Sequence, residues 1–204
     1  MLKKQILRFI SQSSFFYLFF YALGSVFFFK KEVLTSKWFK NNYVGYIWLI
    51  KSIWFQRLLG FHRLSGYFVH PSTIVGKESN LIIHPDSIDA LTSAGCYFQC
   101  FDAMIYLEEN VLIAPNVGLI TSNHDPSNFE QHLPGKDITI RRNSWIGMNS
   151  VILPGVELGE GTIVAAGSVV TKSFPQGHVL IAGVPAAVKK NLTPIAKSVD
   201  QNNE

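Results

Sequence analysis

Histidines and cysteines are where this chain of 204 residues could do acid–base, nucleophilic or metal chemistry, and it has six of the first and two of the second. None of them is spaced as zinc ligands usually are, in HxxxH or CxxC fashion. Cys96 and Cys100 form a CxxxC pair without matching histidines, and two cysteines are too few for a disulfide scaffold. Reduced wall residues are the better reading of that pair, ahead of an acyl-cysteine at Cys100. His62, His70, His84 and His178 have no chemical support in their surroundings and read as structural. His124 is different. It stands in TSNHD, directly before the one place where an otherwise regular repeat is interrupted. Histidine titrates close to neutral pH, so one held at such a point can take a proton from a hydroxyl and pass it on. His132 lies within the interruption and is placed to touch whatever His124 acts on.

The repeat that must position these residues has a period of six. Its first positions are Leu107, Ile113 and Leu119, then Ile140, Ile146, Ile152, Leu158, Val164 and Val170, all aliphatic. Its fifth positions are Val111, Val117, Asn123, Ser144, Ser150, Val156, Thr162, Ser168 and Phe174; Asn123 and Phe174 alone are neither small nor β-branched. Neither a helix nor an alternating strand has this period, and hexapeptide repeats are the signature of a parallel β-helix. The expected body is a triangular prism with one hexad per face and eighteen residues per coil. Residues 107–124, 140–157 and 158–175 each fill one coil. Stacking then sets Leu107 on Ile140 and Leu158, and Ile113 on Ile146 and Val164. Residues 71–106 are compatible with earlier coils, in a register the spacing does not assign. Residues 125–139, DPSNFEQHLPGKDIT, are the interruption, and excursions from a rigid scaffold are where binding and catalysis concentrate.

The first seventy residues follow other rules. They hold 20 of the 27 aromatics, and ten Lys/Arg against the single acid Glu32, a charge of +9; the other 134 residues sum to −5. The net +4 is therefore two opposed surfaces and no sign of nucleic-acid binding. FFYLFFYALGSVFFF, residues 15–29, is uncharged. As a helix it would be roughly 22 Å long, short of the ~30 Å hydrocarbon core. Lys3, Lys4 and Arg8 give it a basic leader, but no small-residue cleavage site follows. Val44–Leu59 is a second apolar stretch, carrying Trp48 and Trp54 and broken by Lys51 and Arg57. Short aromatic segments framed by cations suit a helix lying on an anionic leaflet; the alternative is a helical appendage packed on the end of the main domain. The expected organisation is a basic, aromatic helical segment (1–70), a β-helix (71–190) and a polar tail (191–204).

Between about residues 95 and 190, the runs NVLIAPNVGLITSNHD, GKDITI, SWIGMNSVILPGVELGEG, VAAGSVVTK and AGVPA resemble the hexapeptide-repeat acyltransferases, and within them the galactoside, maltose and capsular-sugar O-acetyltransferases. The resemblance implies a mainly β fold, a left-handed parallel β-helix, with the aromatic helical appendage before it and the long loop at 125–139. It also implies a homotrimer with active sites between subunits, acetyl-CoA as acyl donor and no metal. Residues 1–70 lie outside the family pattern. His124 matches the family's catalytic histidine and would act as general base on a sugar hydroxyl. Trp145 and Met148 would line the pantetheine groove, Ala166 would give a backbone contact, and Thr171 and Lys172 would meet the nucleotide end. The family often has basic residues after the GxPA turn; here Ala187 replaces the nearer and Lys190 occupies the farther, with Lys189, Arg141 and Arg142 as substitutes. For the acceptor two alignments differ by one hexad. One selects Asp102, which is otherwise a corner residue of the prism, and the other selects Cys100; Asn123, beside the break, joins them.

The implied activity is O-acetylation of a surface polysaccharide or its precursor, in the cytoplasm or at the inner face of its membrane. N-acetylation of an amino sugar and a non-catalytic β-helix scaffold are the rival readings.

Overall fold

The computed structural model describes residues 14–40, 43–63 and 65–194; the basic leader Lys3, Lys4 and Arg8 and residues 195–204 of the expected tail lie outside them. The hexads fold as expected. Each supplies a two- or three-residue strand to one of three parallel sheets, joined by tight corners. On one face Leu107 pairs with Ile140, and Ile140 with Leu158. On the next, Ile113, Ile146, Val164 and Ile181 form one column. On the third, Phe98, Leu119, Ile152 and Val170 do the same. All of these side chains are buried. Backbone groups pair from coil to coil, so a strand of two residues suffices where an isolated one would not.

The corners explain the rest of the hexad. In seven of the nine hexads its fourth position is Asn110, Asn116, Asn143, Asn149, Gly155, Gly161 or Gly167, all with φ between +56° and +82°; Ser122 and Ser173 hold it in the other two. A turn this tight needs the left-handed region, which glycine enters freely and asparagine tolerates. The asparagines also stack, with Asn116 Nδ2 donating to Asn149 Oδ1 at 3.1 Å. The small fifth residue tucks beneath the corner, where its hydroxyl finds a carbonyl: Ser150 Oγ donates to Ala165 O at 3.0 Å and Thr162 Oγ1 to Gly159 O at 2.7 Å.

The earlier coils acquire a register here. Val75 pairs with Phe98, and Ile83 with Leu107. Their rhythm is ragged because one face carries a helical turn, Asp89–Thr92, in place of a strand. Asp89 is half-buried, and its Oδ1 is sealed from solvent without a hydrogen-bond partner. Desolvation pushes its pKa up from 3.8 to about 6, against the charge of Lys37 and the nearby N–H groups. Between those two values the unfolded chain is ionised and the folded one is not, so stability falls as pH rises through the window and stays lowered above it. Asp89→Asn is therefore expected to raise the melting temperature at about pH 7.5, by the equivalent of at most about 3 kcal/mol, with little gain at about pH 3.5. Thermal melts of both proteins at the two pH values check this; equal gains at both would remove the electrostatic account.

The N-terminal segment forms helices Ser14–Val26, Lys31–Leu34, Lys37–Lys40 and Val44–Ser52, the last running into a π-helical turn, Ile53–Leu58. It is docked on the first coils. Phe20, Phe39, Leu49 and Phe68 belong to one buried cluster with Leu91, Phe98 and the prism core. Gln56, fully buried, donates to Tyr67 O at 3.0 Å, and Arg57 donates to the carbonyls of Phe27 and Ser65, each at 2.8 Å. Among the described residues no helix is long and apolar enough to cross a membrane.

Candidate active site

The prism opens at a single corner. In the hexad Leu119–His124 the fourth and fifth positions are Ser122 and Asn123, which, like Ser173 and Phe174 in the last hexad, lack the turn-and-tuck chemistry of the others, and Asn123 is exposed. The chain leaves the coil and forms an antiparallel hairpin, His124–Asp125 against Asn128–His132. Asp125 closes its tip, Oδ1 accepting from Ser127 N at 2.7 Å and Ser127 Oγ at 2.6 Å, and the hydroxyl first of all holds that carboxyl below its ordinary range. The return path is pinned to the coil by Leu133 N donating to Asn123 O and Lys136 N to Thr121 O, both at 2.8 Å. Ile138 and Thr139 already belong to the strand Ile138–Ile140, so the excursion ends at Asp137, two residues earlier than the repeat spacing indicates.

This hairpin fixes the His124 ring. Nδ1 lies 2.8 Å from the carbonyl oxygen of Phe129, which can only accept, so Nδ1 carries the proton and Nε2 the lone pair. The ring of His132 packs against it, with centroids 4.3 Å apart. Beneath the corner sits Gln99, which sequence reasoning missed. Its Oε1 accepts from Thr121 N at 2.8 Å and Ser122 N at 3.0 Å, while Nε2 donates to Ser122 Oγ at 3.0 Å. A glutamine between aromatic and cysteine neighbours, in YFQC, was the available signal. Gln99→Leu keeps the bulk but takes from the buried Ser122 N–H its acceptor, while Thr121 N keeps the Gln99 backbone carbonyl at 3.1 Å. The expected result is a loss of roughly 1–3 kcal/mol in stability, measured by denaturant unfolding.

The coil stacking sorts the other candidates by corner. Cys100 and Asp102 lie on the corner column of His124, one coil earlier, and Thr171 and Lys172 on the same column two coils later. Asp102 is exposed beside the hairpin's return, where Gly135 packs on the Asp102–Ala103 backbone and Met104 N donates to Asp137 Oδ1 at 2.8 Å. Cys100 is not at that surface. It is fully buried, its thiol points to the carbonyls of Lys77 (3.3 Å) and Phe98 (3.5 Å), and burial pushes its pKa up. A thiol so placed neither meets an acceptor nor forms a ready thiolate. Trp145, Met148 and Ala166 share a different part of the prism. Trp145 is half-exposed in register with Leu112 and Ile163, and Met148 O accepts from Gly167 N at 2.8 Å. Gly147 lies so flat on Val164–Ala166 that a Cβ would sit 2.6 Å from Ala166 N. Lys190 is exposed on the final strand, Ala186–Asn191, paired with Leu180. Arg141 is engaged elsewhere, at 2.7 Å from Glu108 and 2.8 Å from Glu157, with Arg142 beside Glu108 and Glu160. Burial alone would raise the Glu108 carboxyl, but the Arg141 hydrogen bond and its neighbours bring it below its ordinary range. Among the described residues no three His, Cys, Asp or Glu cluster as metal ligands.

Residues 137–172 match the model of the bacterial transferase hexapeptide (six repeats). These residues carry the hexapeptide repeat, and the stacked hexads around them fold as a left-handed parallel β-helix. It is similar to a putative acetyltransferase of Saccharomyces cerevisiae, 41% identical over 95 residues, which are 45% of this chain and 47% of that one. It is also similar to the galactoside O-acetyltransferase of Escherichia coli, 42% identical over 95 residues, 45% of this chain and 46% of that one. A solved galactoside acetyltransferase in complex with coenzyme A superimposes with a TM-score of 0.51 at 33% identity, over 62% of each chain. The chain thus spans about half the length of the curated relatives it matches.

Proposed function

We propose that this chain is an acetyl-CoA-dependent O-acetyltransferase that acetylates a sugar hydroxyl of a surface polysaccharide or its lipid-linked precursor, with His124 as general base. The observation that carries the reading is the state of the His124 ring, its Nδ1 proton given to Phe129 O and its Nε2 lone pair left for chemistry on an exposed corner. A sugar hydroxyl is almost fully protonated at neutral pH. Nε2 takes its proton as the oxygen attacks the thioester carbonyl; the tetrahedral intermediate then expels the CoA thiolate, which receives that proton from the imidazolium. The products are an acetyl ester and free CoA thiol, and the histidine is regenerated.

On this reading Asp102 and Asn123 face the acceptor, since both are exposed at the hairpin corner. Trp145, Met148 and Ala166 form the wall of the pantetheine groove, with Thr171, Lys172 and Lys190 toward the nucleotide. In one chain the corner of His124 and the surface of Trp145, Met148 and Ala166 belong to different parts of the triangle. The site is taken to lie between subunits of a homotrimer, where that corner of one copy faces that surface of the next. The unit doing this work is the β-helix of residues 71–190, and residues 1–70 hold it at the inner face of the cytoplasmic membrane.

Release of free CoA thiol, screened against polysaccharide and nucleotide-sugar acceptors, tests the proposal. Release is expected with a hydroxyl acceptor and not with its matched amino sugar alone. Release confined to the amino sugar would reassign the chain to N-acetylation, and no release with any glycan would favour a scaffold.

A further inference from the structure

The two longer N-terminal helices present their outward faces, as well as their inward ones, as apolar surface. On Ser14–Val26 the exposed positions are Phe15, Leu18, Phe19, Ala22 and Val26, spaced i, i+3, i+4, i+7 and i+11, with Ser25 the one polar exposed residue beyond the N-terminal Ser14. A helix covering a domain ordinarily turns charged residues to water on this stripe; here Phe15 is 80% exposed. Val44–Ser52 and the turn after it repeat the pattern with Ile47, Ile50, Trp54 and Leu58, interrupted by Lys51. The two helices adjoin, Phe16 and Phe20 meeting the Tyr46 ring edge-on and Arg57 donating to Phe27 O. The two exposed stripes thus lie on adjoining helices and, with Phe28, 85% exposed, make up the apolar patch of this segment.

We propose that this patch is a lipid-docking face, on which the chain lies in the interface of an anionic bilayer without crossing it. Charge complementarity selects the occupant. Exposed Lys31 follows the first helix, exposed Lys51 sits within the second and exposed Arg63 beyond it, while Lys30 is paired with Glu78 at 3.5 Å and Glu32 is the one acid in the first seventy residues. An anionic leaflet satisfies such a frame and the apolar patch together. A second copy of this chain docked face to face would set cation frame against cation frame. The first helix, of 13 residues, is far too short to span, and Trp54, 56% exposed between apolar stripe and cations, has the placement an indole takes at the headgroup level. The arrangement specifies where the membrane contact of the proposed function is made, and its test does not depend on that function.

The full-length chain and the variant carrying Phe15→Ser, Leu18→Ser and Trp54→Ser are compared by co-sedimentation with vesicles of phosphatidylcholine alone and with added phosphatidylglycerol. All three positions point to solvent, so circular dichroism and size-exclusion profiles are expected to be unchanged. The expected result is binding of the native chain to the anionic vesicles, weakened by salt, and at least about tenfold weaker partitioning of the variant. Absence of binding to either vesicle, equal binding of both proteins, or equal binding to neutral and anionic vesicles overturns the proposal. So does a native oligomer that the variant disperses without any vesicle binding, which would make the patch an interface between copies. Thiol release by both proteins from a water-soluble acceptor is read in parallel, so that loss of docking and loss of catalysis are told apart.

Discussion

His124→Ala is expected to lower acceptor-dependent thiol release by about 10²–10⁴-fold while leaving the fold and the acetyl-CoA KM unchanged. The fold is insulated from the change because the ring lies on the outside of the prism, held by one carbonyl and one stacked histidine, and contributes nothing to the core. The rate is not insulated. Without Nε2 the acceptor must lose its proton to water as it attacks, and the expelled thiolate must recover one from water. His124→Asn offers a sharper version, since an amide can approximate the Nδ1 hydrogen bond to Phe129 O but cannot take up a proton at the position of Nε2. The proposed base role requires Asn to be as slow as Ala. If Asn restores most of the rate, His124 positions the acceptor and does not move its proton.

Ile146→Ala carries the largest expected cost in stability, about 3–4 kcal/mol. Ile146 is fully buried in a column, with Ile113 on one side and Val164 on the other. Loss of its outer carbons removes their transfer free energy, roughly 0.8 kcal/mol for each CH₂-sized group. The cavity adds a further penalty, because the walls are backbone paired to coils above and below and cannot collapse inward. Against a typical total of about 5–15 kcal/mol, this is a large share. Ile82→Ala is the control. It lies on a strand of the same prism between the buried Leu81 and Ile83, but points outward, and its loss is expected to cost less than about 0.5 kcal/mol. Denaturant midpoints at one fixed protein concentration measure both, and similar values would mean that the prism interior is less closely packed than its columns indicate.

Several of these assignments were legible before any coordinates. The aliphatic first positions named the columns, and Leu107 on Ile140 on Leu158 is where the spacing of six puts it. The small fifth positions were visible too, though their tuck under the corner was not read from them, and the two exceptions were informative: Asn123 marks where the chain leaves the prism, and Phe174 where the prism nears its end, with Val179–Gly183 and Ala186–Asn191 closing the last sheet. The fourth position, Asn or Gly, was equally present in the sequence, but its meaning depends on a backbone angle that residue type alone does not state. The coils before residue 101 were not legible, because the helical turn Asp89–Thr92 fills a strand's place with a different number of residues and resets the count.

What the sequence determined by itself is thus whatever repeats: a periodic core needs only one rule, applied locally at every hexad, and residue types state that rule in full. It also singled out His124, because a broken period is visible without a structure. The tertiary structure decided what depends on which coils and helices come to lie side by side. It put Gln99 under the His124 corner from 25 residues away, turned Cys100 inward and Asp102 outward, and separated His124 from Trp145 onto different parts of the triangle. It also decided which faces of the aromatic helices were covered, leaving Phe15, Leu18 and Trp54 in the open. These outcomes turn on the direction of a side chain and the packing of distant segments, and composition and spacing constrain neither.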